Sequence, residues 1–335
     1  MSAPTKDPCV EVIDTQLSLH SMLDRIAILP TNPPSLFCDL EEETNPGREG
    51  STYTLWIYAV PMNTVYLVDV LLPDGGDTLA PRIDEPEVSF KALFGSPAIP
   101  KVFFDVRKCS QLLFDLFRIH MGGVSDVQLM ELRCRPGPLS TKRYLATLAD
   151  CVANCSASSD VQKERQRAEQ GIARLFDIRE QEAADIADKH PLEMEMKQQY
   201  RLRDLIILPC LHGRYDKKLS RPKRRFWQAQ VQQATEDRIK LSQAPRYKGG
   251  HDNNSTTLGP WSESDIQQAV EAWDEDVMFD LMHGEEEDED GNERLLEDLA
   301  NRYRDDDDDG DEFYQDTAKD CDGWEEDNMR NGEPF

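Results

Sequence analysis

The chain has 335 residues and a net charge of −27, which leaves room for one sizeable domain with appendages. No run of about 18 apolar residues occurs, which excludes a membrane-spanning helix, and the first residues lack the basic start and apolar core of a secretory signal. The eight cysteines form no CxxC pair and the six histidines are dispersed, so reduced thiols, no zinc site and an intracellular place in cytoplasm or nucleus are expected.

In chain order, residues 1–11 read as a flexible arm. Asp14 or Thr15 can cap a helix whose apolar face is Leu17, Met22, Ile26 and Leu29, closed by Pro30. The run Leu36-Phe37-Cys38-Asp39-Leu40-Glu41 suits a buried strand, and 53–60 and 64–70 give two more around Pro61-Met62-Asn63, a three-stranded meander. A helix is expected at 88–94, a strand at 101–105 and a helix at 110–118. Beyond Asp126 the pattern is mainly helical, at 127–132, 139–152, 160–187 and 191–219. Strands first and helices after, with one βαβ passage between, argue an α/β chain with a mixed central sheet.

Composition shifts past Leu219. Residues 221–260 read as a basic segment and linker, and 261–335 as a mostly disordered acidic tail. That tail holds 30 acidic against 5 basic residues, so the body before it is nearly neutral. Inside it, Ile266, Val270, Trp273, Val277, Met278 and Leu281 fall near helical spacing behind Ser262. A helix at 262–282 is therefore expected, and its apolar face suits a protein partner. The basic run Lys217, Lys218, Arg221, Lys223, Arg224 and Arg225 precedes Phe226-Trp227. It can contact a phosphate backbone with the two rings stacking on bases, act as a nuclear import signal, or pair with the acidic tail.

Two constellations carry chemistry. Asp39 and Glu41 are two apart in a strand and so share a face, where a divalent cation would offset their repulsion. A solvated strand edge is the alternative. Tyr200 and Asp204 are four apart on a helix and share a face there, as many ordinary helical pairs do.

Taken in order, Asp-x-Glu in the first strand of the meander, the Lys101-Val102-Phe103-Phe104-Asp105-Val106-Arg107 passage and Tyr-x-x-x-Asp on a late helix resemble the DEDD exonuclease superfamily, tyrosine subtype. The fungal 3′→5′ exonuclease-domain group related to ribonuclease D is the most similar, over residues 12–220. The strand Thr64-Val65-Tyr66-Leu67-Val68-Asp69-Val70 and the stretch Val124-Ser125-Asp126-Val127-Gln128-Leu129-Met130 belong to the match.

The resemblance implies a ribonuclease H-like fold and 3′→5′ hydrolysis of RNA or single-stranded DNA. Asp39 would bridge two Mg²⁺ or Mn²⁺ ions, Glu41 and Asp204 would hold the nucleophile-side ion, and Tyr200 would orient the attacking water. One ion lowers the pKa of that water while the other stabilises the departing 3′-oxygen. The pattern breaks at Cys109, which fills the slot where relatives carry the fourth ligand, an aspartate, beside Lys108. Thiols are poor ligands for hard cations. Asp105 is either a substitute ligand or a cap for the following turn. Activity is therefore expected to be weakened, and a catalytically inactive module that binds nucleic acid or protein is the alternative.

Overall fold

The computed structural model describes residues 8–44, 51–70, 89–136, 142–155, 191–221, 224–245, 247 and 258–283. At its centre is the expected meander: β2 (Leu36–Thr44), β3 (Ser51–Ala59) and β4 (Thr64–Asp69) pair antiparallel in turn. Their β-branched and aromatic residues suit a pleated surface buried on both faces. β5 (Lys101–Phe103) adds parallel to β2, and β6 (Val124–Asp126) parallel to β5. The six-stranded mixed sheet has the order β1-β4-β3-β2-β5-β6.

The first strand, β1 (Cys9–Ile13), corrects the flexible arm expected at 1–11. It pairs parallel with β4, Cys9 opposite Thr64 and Ile13 opposite Val68. Backbone pairing places it, and its residues alternate too weakly to announce a strand. Glu11 on β1 accepts two hydrogen bonds from Arg25 Nη1, at 2.8 and 2.9 Å.

Helix α1 (Gln16–Ala27) starts at the expected cap: Thr15 accepts from Ser18 N, and the Ser18 hydroxyl accepts from Thr15 N. Its buried face is Leu19, Met22, Leu23 and Ile26, while Leu17 is 82% exposed. The cap fixes the rotation of the first turn and turns Leu17 outward.

With α2 (Phe90–Gly95) and α3 (Arg107–Phe117), α1 packs on one face of the sheet, over Cys38, Leu40, Leu55, Ile57, Tyr66 and Val68. The opposite face carries Phe37, Trp56, Tyr58, Val65 and Leu67 under α4 (Val127–Cys134), α5 (Leu148–Cys155), α6 (Pro191–Leu219) and α7 (Arg225–Ser242). Of the helix expected at 139–152, residues 139–141 lie outside the described residues, and among the described ones the α-helix begins only at Leu148, as α5. The helix expected at 160–187 lies outside the described residues.

Helix α7 corrects the linker expected at 221–260. Phe226, Val231, Ala234, Thr235, Arg238, Ile239 and Ser242 form its buried stripe, and it packs on α3, α4 and β6. Polar members of that stripe hide its periodicity. The helix expected at 262–282 is present as α8 (Glu263–His283), capped by Ser262 with Asp265, so this part of the tail is ordered. Val270 is buried and the Trp273 ring meets Phe226 edge-on at 5.7 Å. These two residues, expected to face a protein partner, face the chain's own body. The acid blocks beyond His283 lie outside the described residues.

Lys101 is fully buried, its ammonium donating to the carbonyls of Leu93 at 2.9 Å and Ser96 at 2.8 Å. Burial pushes its pKa down to about 8 from 10.5. Below pH 8 both folded and unfolded chains hold this proton. Between pH 8 and 10.5 the unfolded chain holds more of it, so stability rises with pH there, by about 3 kcal/mol in all. Lys101→Met is expected to abolish that rise, read as the wild-type minus variant stability in urea at pH 7.5 and 10.5. Parallel pH curves for the two proteins would contradict it.

Candidate active site

β2 alternates between the two layers. Cys38 and Leu40 point to the α1–α3 side, and Phe37, Asp39 and Glu41 point to the α4–α7 side. Asp39 is half-buried and Glu41 buried. Asp39 Oδ1 accepts from Leu40 N at 2.9 Å. Glu41 lies opposite Thr54, which lies opposite Asp69, so one row across β2, β3 and β4 carries two acids on this face.

Helix α6 covers that face. Phe37 meets the His212 ring edge-on at 6.0 Å, and Leu202, Leu205, Ile206 and Leu208 are buried beneath the helix. Asp204 is half-buried among them, on the helix facing β2. Tyr200 lies in the same helix, and its side chain is outside the described residues. Asp39, Glu41 and Asp204 thus stand on two facing elements. Among the described residues, however, no three His, Cys, Asp or Glu side chains are grouped so as to hold a metal ion.

Cys109, in the first turn of α3, is 2% exposed within the layer that holds Cys38, Val106 and Leu113. Burial first, then the neighbouring Cys38 and Asp39, push its thiol well above the ordinary range. It is neutral at physiological pH, so it supplies no thiolate. Lys108 turns instead to Glu42, Nζ to Oε2 at 3.4 Å.

Asp105, the other option for a ligand, sits in the left-handed region at φ 63°, an uncommon conformation for a non-glycine residue that an aspartate tolerates better than most. Its carboxylate accepts from Arg107 Nε at 2.7 Å and Nη2 at 2.6 Å, and its Oδ1 also accepts from Arg107 N at 3.3 Å. Although burial opposes it, pairing with Arg107 and Arg238 holds this carboxyl below the usual range. That is the geometry of a turn cap. With a buried thiol at 109 and Asp105 held by Arg107, the described residues do not fit the two-ion site that the resemblance implies.

The basic run is divided. Lys217 and Arg225 are exposed, Lys218 and Arg221 half-buried, and Lys223 lies outside the described residues. Arg224 is 2% exposed and donates to the Arg133 carbonyl at 3.5 Å, while Lys218 Nζ donates to the Cys134 carbonyl at 2.9 Å. Both cations bind the C-terminal end of α4, where the helix dipole favours positive charge. Phe226 is buried, and the Arg133 guanidinium lies 3.1 Å from the centre of the Trp227 ring. Arg224, Phe226 and Trp227 are thus committed to packing, and the expectation that the rings stack on bases is corrected.

The sequence pattern left Trp56, Asp69 and the Arg238–Asp126 pair out of the site region. Strand register places Trp56 opposite Asp39 and Asp69 in line with Glu41. A hydrophobic pattern fixes which face a residue takes, and only the pairing fixes which neighbour it meets.

No protein-family model and no curated protein sequence matches the chain. Solved structures do. Ribonuclease D from Trypanosoma brucei is 16% identical, covering 79% of this chain and 81% of that one, with a TM-score of 0.50. The same enzyme in complex with RNA U12 is 14% identical over 78% and 79% of the two chains, with a TM-score of 0.49. The EXD2 exonuclease domain soaked in Mn and GMP is 12% identical over 63% and 94%, with a TM-score of 0.31. The mixed sheet with helices on both faces therefore has the fold of Trypanosoma brucei ribonuclease D.

Proposed function

We propose that the chain engages the 3′ end of RNA or single-stranded DNA as a 3′→5′ exonuclease of the tyrosine subtype, with phosphodiester hydrolysis weakened by the missing oxygen ligand at position 109. The observation that carries this reading is the buried, neutral thiol of Cys109, at the position where the resemblance expects the fourth carboxylate. Asp39 and Glu41 share the face of β2 that α6 covers with Asp204, and Tyr200 is one helical turn before Asp204. These oxygen donors suit a hard cation such as Mg²⁺ or Mn²⁺, which is often held by one or two carboxylates. A second ion lacks its ligand, so charge on the departing 3′-oxygen goes without that stabilisation. Lys217 and Arg225, the exposed members of the basic run, offer charge for the phosphate backbone. A module that binds without cutting is the limiting case of the same reading.

The test is an assay of a 5′-labelled single strand in Mg²⁺ or Mn²⁺, with Asp39→Ala beside the wild type. Binding with slow or undetectable trimming is expected, together with faster trimming by Cys109→Asp under conditions where that variant is folded. Rapid wild-type trimming that Asp39→Ala abolishes and Cys109→Asp leaves unchanged would overturn the role given to Cys109. Failure of the wild type to bind any single strand would overturn the whole reading.

A further inference from the structure

Two buried side-chain donors among the described residues lack a hydrogen-bond partner, Trp56 Nε1 and Arg133 Nε. The second is accounted for by its setting, since the Arg133 guanidinium lies against the Trp227 ring and near Trp261, where the ring faces attract the cation. The first is not. Buried donors are almost always paired, and leaving one unmade costs more than an apolar ring of the same shape would.

Place gives the indole a use. Trp56 is 3% exposed, lies directly opposite Asp39 on the neighbouring strand, and shares the sheet face of Phe37, Asp39 and Glu41. Side chains directly opposite in an antiparallel pair are about 5 Å apart. Carboxylates on this face repel an incoming phosphate, and a lysine or arginine among them would pair with the acids instead of the ligand. A neutral N–H avoids both problems, because it donates to an oxyanion and leaves the acids free of a competing cation.

We propose that Trp56 is a binding residue whose indole N–H donates to a phosphate oxygen of the 3′-terminal nucleotide, so that the unmade bond of the free protein is made by the bound strand. This rests on the nucleic-acid reading above and names a contact within that site. The N–H is enclosed in the free protein, so binding includes a local shift of the side chains over it. Fit of this kind is common at interfaces.

The test is fluorescence anisotropy of a 5′-labelled oligouridylate with the full chain in EDTA, wild type against Trp56→Phe. The variant is expected to bind about tenfold more weakly, the worth of a hydrogen bond to a charged group. Its melting temperature without the strand should stay within a few degrees of the wild type, because losing the orphaned donor offsets the void left by the smaller ring. A second measurement does not depend on the variant's folding. In a ¹⁵N correlation spectrum the five tryptophans report separately, and the Trp56 indole signal should move downfield as the strand is added. Equal affinity in Trp56→Phe, or an indole signal that stays fixed at saturation, overturns the proposal while the function reading stands. A wild type that binds no strand removes both.

Discussion

Cys109→Asp is expected to destabilise the protein by about 3–5 kcal/mol at pH 7, because an ionised carboxylate there has no cation to meet. The position is 2% exposed among Cys38, Val106 and Leu113, and Asp39 is near enough to raise the thiol's pKa. A carboxyl in that setting has its folded pKa raised above the unfolded value of about 3.9. The sign follows from linkage. Between the unfolded and the raised folded pKa the folded chain holds more protons than the unfolded one, so this penalty is absent below about pH 4, grows as pH rises through that window and levels off above the folded pKa. Cys109→Ala, which adds no charge, should cost only about 1 kcal/mol with no such pH dependence. For a domain of this size the difference between the two variants should be on the order of 10 °C in melting temperature at pH 7. A Cys109→Asp protein that melts with the wild type in EDTA at pH 7 would show that position 109 opens to solvent.

The same position shows where sequence reasoning runs out. That Asp39 and Glu41 share a face follows from strand alternation, and that α6 carries Asp204 follows from its apolar run over Leu202 to Leu208. The meander and the capped start of α1 are legible for the same reason: each is announced by residues within a few positions of one another. Cys109 is legible as a missing ligand but not as a buried one. Its facing depends on the turn between β5 and α3, and that turn depends on Asp105 adopting φ 63°, a conformation aspartate can take without announcing it.

β1 and β6 were hidden for another reason. They have five and three residues, and their pairing is backbone bonding to distant strands. Helix α7 was hidden by its own chemistry. Arg238, Thr235 and Ser242 lie on its buried side, where a hydropathy pattern reads them as surface; Arg238 is made tolerable by Asp126 and Gln128, and the two hydroxyls by the Val231 and Ile239 carbonyls of their own helix.

Arg238→Ala is expected to cost about 3–5 kcal/mol, because it leaves a buried carboxylate without its counter-charge. Asp126 is fully buried at the junction of β6 and α4, and Arg238 Nη1 donates to its Oδ2 at 2.7 Å. The same nitrogen donates to Gln128 Oε1 at 3.1 Å and lies 3.9 Å from Asp105 Oδ1. Asp126 also accepts from the backbone N–H groups of Asp105, Val106 and Gln128. One carboxylate therefore fixes the start of α4, the turn that ends β5 and the docking of α7. Those three N–H groups lower the cost of stranding it but carry no full charge.

Lysine is a poor substitute, since its ammonium is a compact, strongly hydrated point charge where the planar guanidinium spans two acceptors. Arg238→Lys should recover less than half of the loss. Removing the charges together is the sharper comparison. Arg238→Met with Asp126→Asn keeps an acceptor for the backbone N–H groups and strands no ion, so the double variant should be more stable than Arg238→Met alone by at least 1 kcal/mol. Urea unfolding of the three proteins measures each step. If Arg238→Ala unfolds within 1 kcal/mol of the wild type, the pair contributes little to stability and α7 is held by its apolar residues alone. The placement of Asp105 beside β2 would then owe nothing to Arg238, and the turn that sets Cys109 behind the sheet would have to be fixed by Asp126 and Arg107.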